Sequence, residues 1–274
     1  MPATPLPSAA PAEAGSVPSA PVAGSARDAS ATSASAISAS ATSASPPGHL
    51  HRRRANRLRQ SLVVTLAVVS GATDAIGLVG LGGAFTSVMT GNLVILGVSA
   101  SSGDGARALS SGLAIVAFCA GAALGARLAG NPRPDDPIWP RPVTVALTVE
   151  LLFFLAYAVG WWVTGGAPGP GLGLALLLST AVALGIQSST VQRFGVSGMS
   201  TTYLTGTLTT VVIRLASGRG VREVWHSIEI LLGLVAGAAA GTALVLLAPM
   251  LAPVLQLAAL GAVIVTAATV ARRL

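Results

Sequence analysis

Charge is scarce in this 274-residue chain, and lysine is absent from it. Charged residues make up 9% of the sequence and hydrophobic residues 52%, whereas a soluble domain carries about 25% charged residues. The mean hydropathy is +0.74. This composition excludes an ordinary soluble domain. It predicts an all-α protein that crosses a lipid bilayer several times.

Cysteine is almost absent too. Cys119 is the single one in the chain, which excludes an internal disulfide and any CxxC metal or redox site. The formal net charge of +7 comes from arginines, which lie at the termini and between apolar segments. Arginine takes these positions on the cytoplasmic side of membrane proteins. We therefore expect a lipid bilayer as partner and no nucleic acid.

The N-terminal part of the chain lacks large apolar side chains. Residues 1–50 are mostly Ala, Ser, Pro, Thr and Gly, and such a segment buries too little surface to offset its ordering entropy. This predicts a disordered tail. Residues 51–60 then form a basic flank before the first apolar segment, and arginine in this place predicts a cytoplasmic N-terminus. The arginines of this flank are Arg52, Arg53, Arg54, Arg57 and Arg59.

Eight apolar segments of about 17–24 residues follow, close to the roughly 20 residues that a membrane-spanning helix needs. They cover residues 61–80, 85–101, 108–128, 143–163, 172–190, 199–215, 224–247 and 251–270. Segment 85–101 is interrupted by Thr90, Gly91 and Asn92, and segment 199–215 is crowded with hydroxyl side chains. Polar, glycine-containing breaks of this kind are typical of discontinuous, re-entrant membrane segments.

The arginines help to choose between topologies. If both broken segments are re-entrant, six full spans remain, and every arginine group after the first span falls inside except Arg107. Seven or eight spans would place Arg127, Arg133 and Arg141 outside. Because cytoplasmic loops carry the excess of arginine, six spans are favoured, with seven or eight spans as the alternatives.

Three features recur at nearly one spacing. Thr90-Gly91 and Thr205-Gly206 are 115 residues apart, and two GxxxG motifs beginning at Gly121 and Gly237 are 116 apart. The sequence Gly71-Ala72-Thr73-Asp74 has a looser counterpart in Gly185-Ile186-Gln187-Ser188. This predicts a two-fold internal repeat over 61–164 and 171–271. With three full spans in each repeat, the two halves would have opposite orientations, and the broken segments would enter from opposite faces.

At the level of motifs, the chain resembles the YoaK-like bacterial membrane proteins. The resemblance covers residues 58–272 and rests on two motif regions, which contain Met89-Thr90-Gly91-Asn92 and Thr205-Gly206-Thr207. It implies a bacterial inner-membrane protein of a family whose function is unknown. The resemblance adds no cofactor, substrate or catalytic residue. That family often has Asn at the position that Ser188 takes here.

Polar residues inside the apolar segments are the candidate functional residues. Asp74 lies well inside the first span, where intramembrane carboxylates commonly mark ion pathways. The alternative is a carboxylate hydrogen-bonded to Thr86, Thr90 or Asn92. The candidate substrate-binding set is Asp74, Thr90, Gly91, Asn92, Gln187, Thr205, Gly206 and Thr207.

Two of these interpretations have structural alternatives. Gln187 either lines the same cavity or makes an interhelical hydrogen bond, and Gly and Thr of the two motifs also suit close helix packing. Glu150 either faces a cavity or reaches towards the interface and Arg141, and the interface is favoured. The sequence contains no GxSxG, HExxH or Walker motif, so we expect no enzyme, no cofactor and no metal.

Two functions remain. The first is a small-solute transporter or permease that handles a solute or ion at a midplane site between the repeats. The second is a non-transport membrane scaffold or sensing protein. Nothing in the sequence sets the oligomeric state.

Overall fold

In a computed structural model, the protein is described over residues 48–132, 139–193 and 204–269, and these ranges are helical and contain no strand. The eight helices are α1 Gly48–Gly80, α2 Met89–Ser102, α3 Gly105–Ala129, α4 Arg141–Val163, α5 Pro170–Gln192, α6 Leu204–Ala216, α7 Val221–Leu247 and α8 Ala252–Thr269. A short 3-10 turn, Pro249–Leu251, precedes α8. The predicted disordered tail lies outside the described residues up to position 47.

The basic flank at 51–60 is part of a helix rather than a linker. Helix α1 begins at Gly48, and its apolar span begins at Asn56, earlier than the expected start at position 61. Arginine is a good helix former, so the flank can continue the helix beyond the apolar stretch.

Six of the helices are long and apolar enough to cross a bilayer. They are Asn56–Gly80, Gly105–Ala129, Arg141–Val163, Pro170–Gln192, Val221–Leu247 and Pro249–Thr269. Helices α2 and α6 have 14 and 13 residues. At 1.5 Å per residue these two are about 20 Å long, which is too short for a hydrocarbon core of about 30 Å. The expected all-α protein with six spans and two short, broken segments is confirmed.

Glycines fix how the spans pair. A Cβ added at Gly237 would overlap Val68 of α1, and one added at Gly241 would lie 2.6 Å from Ala72 O. The contact moves from Val68 to Ala72 along α1 as it moves from Gly237 to Gly241 along α7. Helices α1 and α7 therefore run parallel in close contact. The same relation holds for Gly121 and Gly125 of α3 against α5. The two GxxxG motifs are therefore the packing faces that the sequence predicts.

The other two spans run antiparallel to their neighbours. Ser179 of α5 donates to Phe153 O of α4 at 3.1 Å, while Leu176 lies against Gly160. Trp161 Nε1 at the end of α4 donates to Pro249 O at 2.7 Å, just before α8. Helices α1, α4 and α7 thus run in one direction, and α3, α5 and α8 run in the other.

The end of the bundle at which α1, α4 and α7 finish is called face A here, and the opposite end face B. Gly80 marks face A, because a Cβ there would lie 3.3 Å from the Trp161 ring and 3.8 Å from Val245. The first half consists of α1, α3 and α4, and the second half consists of α5, α7 and α8. Each half repeats the same helix order in the opposite direction, and the tight pairs α1–α7 and α3–α5 join the two halves.

The first broken segment enters and leaves at face A. The chain turns back after α1 at Gly82 and Gly83, which have φ of +131° and +75°. It then descends until Thr86 and Ser87 reach Asp74, about 9 Å below the end of α1 at 1.5 Å per residue. Helix α2 rises from there to Ser102 and joins α3, whose first turn lines the same face-A cleft as Gly80.

The second broken segment is placed at the other end. Helix α5 ends at face B and α7 begins there, so the chain between Gln192 and Val221 also leaves and returns on one face. Helix α6 is its described part, and residues 194–203 lie outside the described ranges. The two short helices therefore belong to opposite faces, in agreement with the six-span topology and not with seven or eight spans.

Candidate functional site

Asp74 is the centre of the first broken segment. Its side chain is buried, with 5% exposed. Oδ1 accepts from the backbone N–H of Thr86 at 2.7 Å and of Ser87 at 2.7 Å, and from Thr86 Oγ1 at 3.0 Å. Oδ2 accepts from Ser87 Oγ. A carboxylate with four donors stabilises a backbone that cannot continue as helix, because these N–H groups would otherwise lack partners inside the membrane.

Asn92 completes this anchor from the first turn of α2. Its Oδ1 accepts from Phe85 N–H at 2.8 Å, and its Nδ2 donates to Phe85 O at 2.7 Å. The side chain is fully buried. Asn92 holds the backbone of Phe85, and Asp74 holds Thr86 and Ser87, so these two polar residues serve the backbone of the break.

Thr90 and Gly91 are not part of the hydrogen-bonded anchor formed by Asp74 and Asn92. Thr90 is exposed at the surface of the bundle and does not contact Asp74, although the sequence offered it as a hydrogen-bond partner. A Cβ at Gly91 would lie 3.0 Å from Cδ2 of Phe85. Gly91 therefore leaves room for the Phe85 ring, and the structure does not bring Thr90 or Gly91 into a common polar site with Asp74.

Gln187 connects the two halves through α5 and α1. Its Nε2 donates to Ser70 Oγ at 2.8 Å and to Leu66 O at 3.2 Å. The side chain is fully buried. Ser70 lies one helical turn from Asp74, so Gln187 and the first broken segment contact the same region of α1. Of the two interpretations of Gln187, the interhelical hydrogen bond is present.

The second motif is partly described. Thr205 is exposed, Gly206 is half-buried and Thr207 is buried. The carbonyls of Thr205 and Gly206 accept from the hydroxyls one turn later, at 2.9 Å and 2.8 Å, as hydroxyl residues in membrane helices commonly do. The side-chain hydrogen bonds of Asp74 and Asn92 go to residues 85–89, so these bonds do not join the two motifs.

Glu150 is the polar residue that the sequence analysis placed wrongly. It is fully buried in α4 and makes no ion pair with Arg141. Neither carboxylate oxygen has a hydrogen-bond partner among the described residues. The interface position that the sequence favoured is therefore wrong. The signal was present in the spacing of α4, because Glu150 shares the helical face of Leu147, Phe154 and Tyr157, which are all buried.

Two more buried polar side chains lie in α4 and in α8, which packs against it. Tyr157 is 1% exposed, and Gln256 of α8 is fully buried. The Tyr157 hydroxyl and both polar atoms of the Gln256 amide also have no hydrogen-bond partner within the described ranges. Buried polar groups are normally paired, so this region differs from the satisfied site around Asp74. Across the described residues, no three potential metal ligands come together.

Comparison with known proteins places this geometry in a family. The model of the family described as "Protein of unknown function (DUF1275)" matches residues 62–268. The chain belongs to the DUF1275 family. The match begins within the first span, Asn56–Gly80, ends in the last turn of the sixth span and includes both broken segments.

A curated relative of this DUF1275 protein is the UPF0700 transmembrane protein YoaK of Bacillus subtilis (strain 168). The two are 29% identical over 154 residues, which is 56% of this chain and 66% of YoaK. The YoaK-like resemblance is confirmed, and the chain is a multi-pass membrane protein. No solved structure matches the chain.

Proposed function

We propose that the protein is a small-solute transporter or permease of the bacterial plasma membrane, with its substrate site near the midplane between the two halves. The observation that carries this proposal is the opposite direction of the halves, each with a broken segment that enters from its own face. Inverted repeats with discontinuous helices are a recurrent design of secondary transporters, in which one part of the bundle moves relative to the other.

The second candidate is a non-transport scaffold or sensing protein. It is supported by the side chains of Asp74 and Asn92 and by Nε2 of Gln187, which bond to the protein's own backbone and side chains. A substrate site usually keeps some polar groups available for its ligand. Neither candidate requires catalysis, a cofactor or a metal, and our proposal assigns none to the chain.

Transport is tested with the purified full chain in proteoliposomes. A panel of labelled amino acids, sugars, organic acids, nucleosides and inorganic ions would be screened for saturable uptake. We expect uptake of at least one solute by the wild type, retention of that uptake by the exposed-site control Asp104→Asn, and loss of it in Asp74→Asn at equal insertion. If no member of the panel is taken up or exchanged in either direction, the transporter proposal fails and the scaffold is favoured.

The orientation of the protein is part of the same proposal. The described arginines of the spans and their flanks lie at face B, except for Arg107, which lies in the first turn of α3 at face A. Because arginine concentrates on the cytoplasmic side, we place face B and the N-terminus in the cytoplasm. The face-B arginines are Arg54, Arg57, Arg59, Arg127, Arg141, Arg193, Arg214, Arg219 and Arg222.

Cysteine labelling tests this orientation in a Cys119→Ser background. Ser102→Cys and Ala167→Cys lie at face A, and Asn131→Cys and Ser217→Cys at face B, all at exposed positions. In intact spheroplasts an impermeant maleimide should label the first pair and should reach the second pair only after the membrane is opened. Labelling of Asn131→Cys in intact spheroplasts would reverse the proposed orientation or overturn the six-span topology.

A further inference from the structure

We propose that Glu150 carries an exchangeable proton at the centre of the bundle, and that the proton is therefore the ion that this protein moves or couples to. The site lies in α4 and is separate from the two broken segments. The role of the proton in coupling rests on the proposed transporter function. The presence of an exchangeable proton on Glu150 does not.

The depth of Glu150 is the first argument. It lies nine residues after Arg141 and thirteen before Val163 within one unbroken helix. At 1.5 Å per residue, these separations are about 13 Å and about 20 Å, so Glu150 is near the middle of a hydrocarbon core of about 30 Å. Ionisable residues at this depth are rare and mark ion or proton pathways.

The surroundings of Glu150 are the second argument. Trp161 and Trp162 at the end of α4 donate to Pro249 and Met250 just before α8, so α8 starts where α4 ends and runs back along it. Counting inward from them, Gln256 is level with Phe154. Glu150 is one turn further towards face B, and Tyr157 is about one turn back towards face A. Three buried polar side chains without partners in the described ranges thus fall within about 10 Å along the bundle axis.

Among the described residues, the helices that pack against α4 place no charged group near this region that could compensate a carboxylate. On α4 itself, the other titratable groups are Tyr157 and the exposed Arg141. Helices α5 and α8, which pack against α4, contain no titratable residue within Pro170–Gln192 and Ala252–Thr269. Helix α3 adds Arg107 and Arg127 near its ends and the exposed Cys119. On α1, Arg54, Arg57 and Arg59 lie near face B, and Asp74 is occupied by the broken segment.

These surroundings select the proton among small ions. Calcium and magnesium need about six oxygen ligands, and the oxygens of Glu150 have none at hydrogen-bond distance in the described structure. A proton occupies no additional volume and removes the charge, which avoids the large cost of an unpaired buried carboxylate. The exchange is balanced. The carboxylic acid gives its proton to a water molecule that enters from one face, forming hydronium and carboxylate, and the carboxylate later takes a proton from hydronium at the other face, which leaves water.

Infrared difference spectroscopy of the full chain in lipid nanodiscs tests this directly. At neutral pH, we expect the carbonyl stretch of a carboxylic acid without hydrogen bonds. This band should be absent from Glu150→Gln and from Glu150→Leu, which removes the polar group altogether, and present in the control Asp74→Asn. It should shift when the sample is transferred to D2O, because the site exchanges with water. Absence of the band, its survival in both Glu150 variants, or a band that never shifts in D2O would each overturn the proposal.

The spectroscopic result is separate from the transport result. A band that shifts in D2O, in a protein that transports no solute in the screen, would leave the proton site standing and defeat the transporter proposal. Solute transport without this band would keep the transporter and defeat the proton site.

Discussion

Asp74 and Glu150 are both carboxylates buried in spans, and they have opposite surroundings. Asp74 accepts four hydrogen bonds from a chain that folds back beside it. Glu150 lies in a regular helix, in contact with helices that offer it no donor in the described part of the chain. The comparison shows that a charged residue in a membrane span is not a functional site by itself. Its hydrogen-bond partners decide whether it stabilises the fold or remains available.

The same comparison assigns different chemical roles to the two residues. Asp74 replaces the partners that the broken backbone has lost, and the N–H groups before α2 also suit a negative charge because a helix N-terminus is electropositive. Glu150 supplies no hydrogen bond that the backbone needs, because the N–H and C=O groups of the regular helix α4 bond to one another. We therefore expect the stability of the protein to depend on Asp74 and hardly on Glu150.

The largest effect is expected from Asp74→Ala. Removal of the acceptor leaves two backbone N–H groups and two hydroxyls without partners, and hydrogen bonds to a charged group contribute about 1.5–3 kcal/mol each. We expect a loss of roughly 3–5 kcal/mol, measured by thermal unfolding in detergent. The control Asp104→Ala removes an exposed N-cap that accepts from Arg107 N–H, and about 1 kcal/mol is expected there. If the two variants lose the same amount of stability, Asp74 does not have the structural role assigned to it.

The smallest effect on stability is expected from Glu150→Leu. Replacement of an unpaired buried polar group by an apolar one of similar size is often neutral or stabilising. The unfolding temperature of Glu150→Leu should therefore stay at the wild-type value or rise. Glu150→Gln keeps an unpaired polar group, so its unfolding temperature should not be higher than that of Glu150→Leu. Strong destabilisation by Glu150→Leu would mean that Glu150 has a partner that stabilises the fold, and the contrast with Asp74 would disappear.

Much of the architecture could be predicted from the sequence. Segment lengths gave eight apolar segments, and the polar breaks and the arginines favoured re-entry of two of them, which leaves six spans. The spacing of Gly121 and Gly237 predicted equivalent packing faces, because close helix contact in a membrane needs small residues at fixed intervals. These features depend on local composition and periodicity, which a single sequence displays.

The site could be predicted only in part. Asp74 and Asn92 were found because they are polar residues in apolar segments, but their partners depend on the reversal of the chain at Gly82 and Gly83. Glu150 was assigned to the interface because its distance from Arg141 along the chain is short. Its burial depends on the helices that pack against α4. A local sequence pattern does not show whether those helices carry a hydrogen-bond partner for it.

The glycine crossings have a consequence for how the protein is made. Helix α1 is synthesised before the other spans, yet it packs most tightly against α7, which follows α3, α4 and α5 in the chain. The glycine-accommodating faces of α1 and α3 must therefore remain in contact with lipid, or with an insertion factor, until the second half arrives. The first half therefore cannot complete the bundle alone. In a chain truncated after α4, the faces of α1 and α3 that normally contact α7 and α5 would have no partner helix.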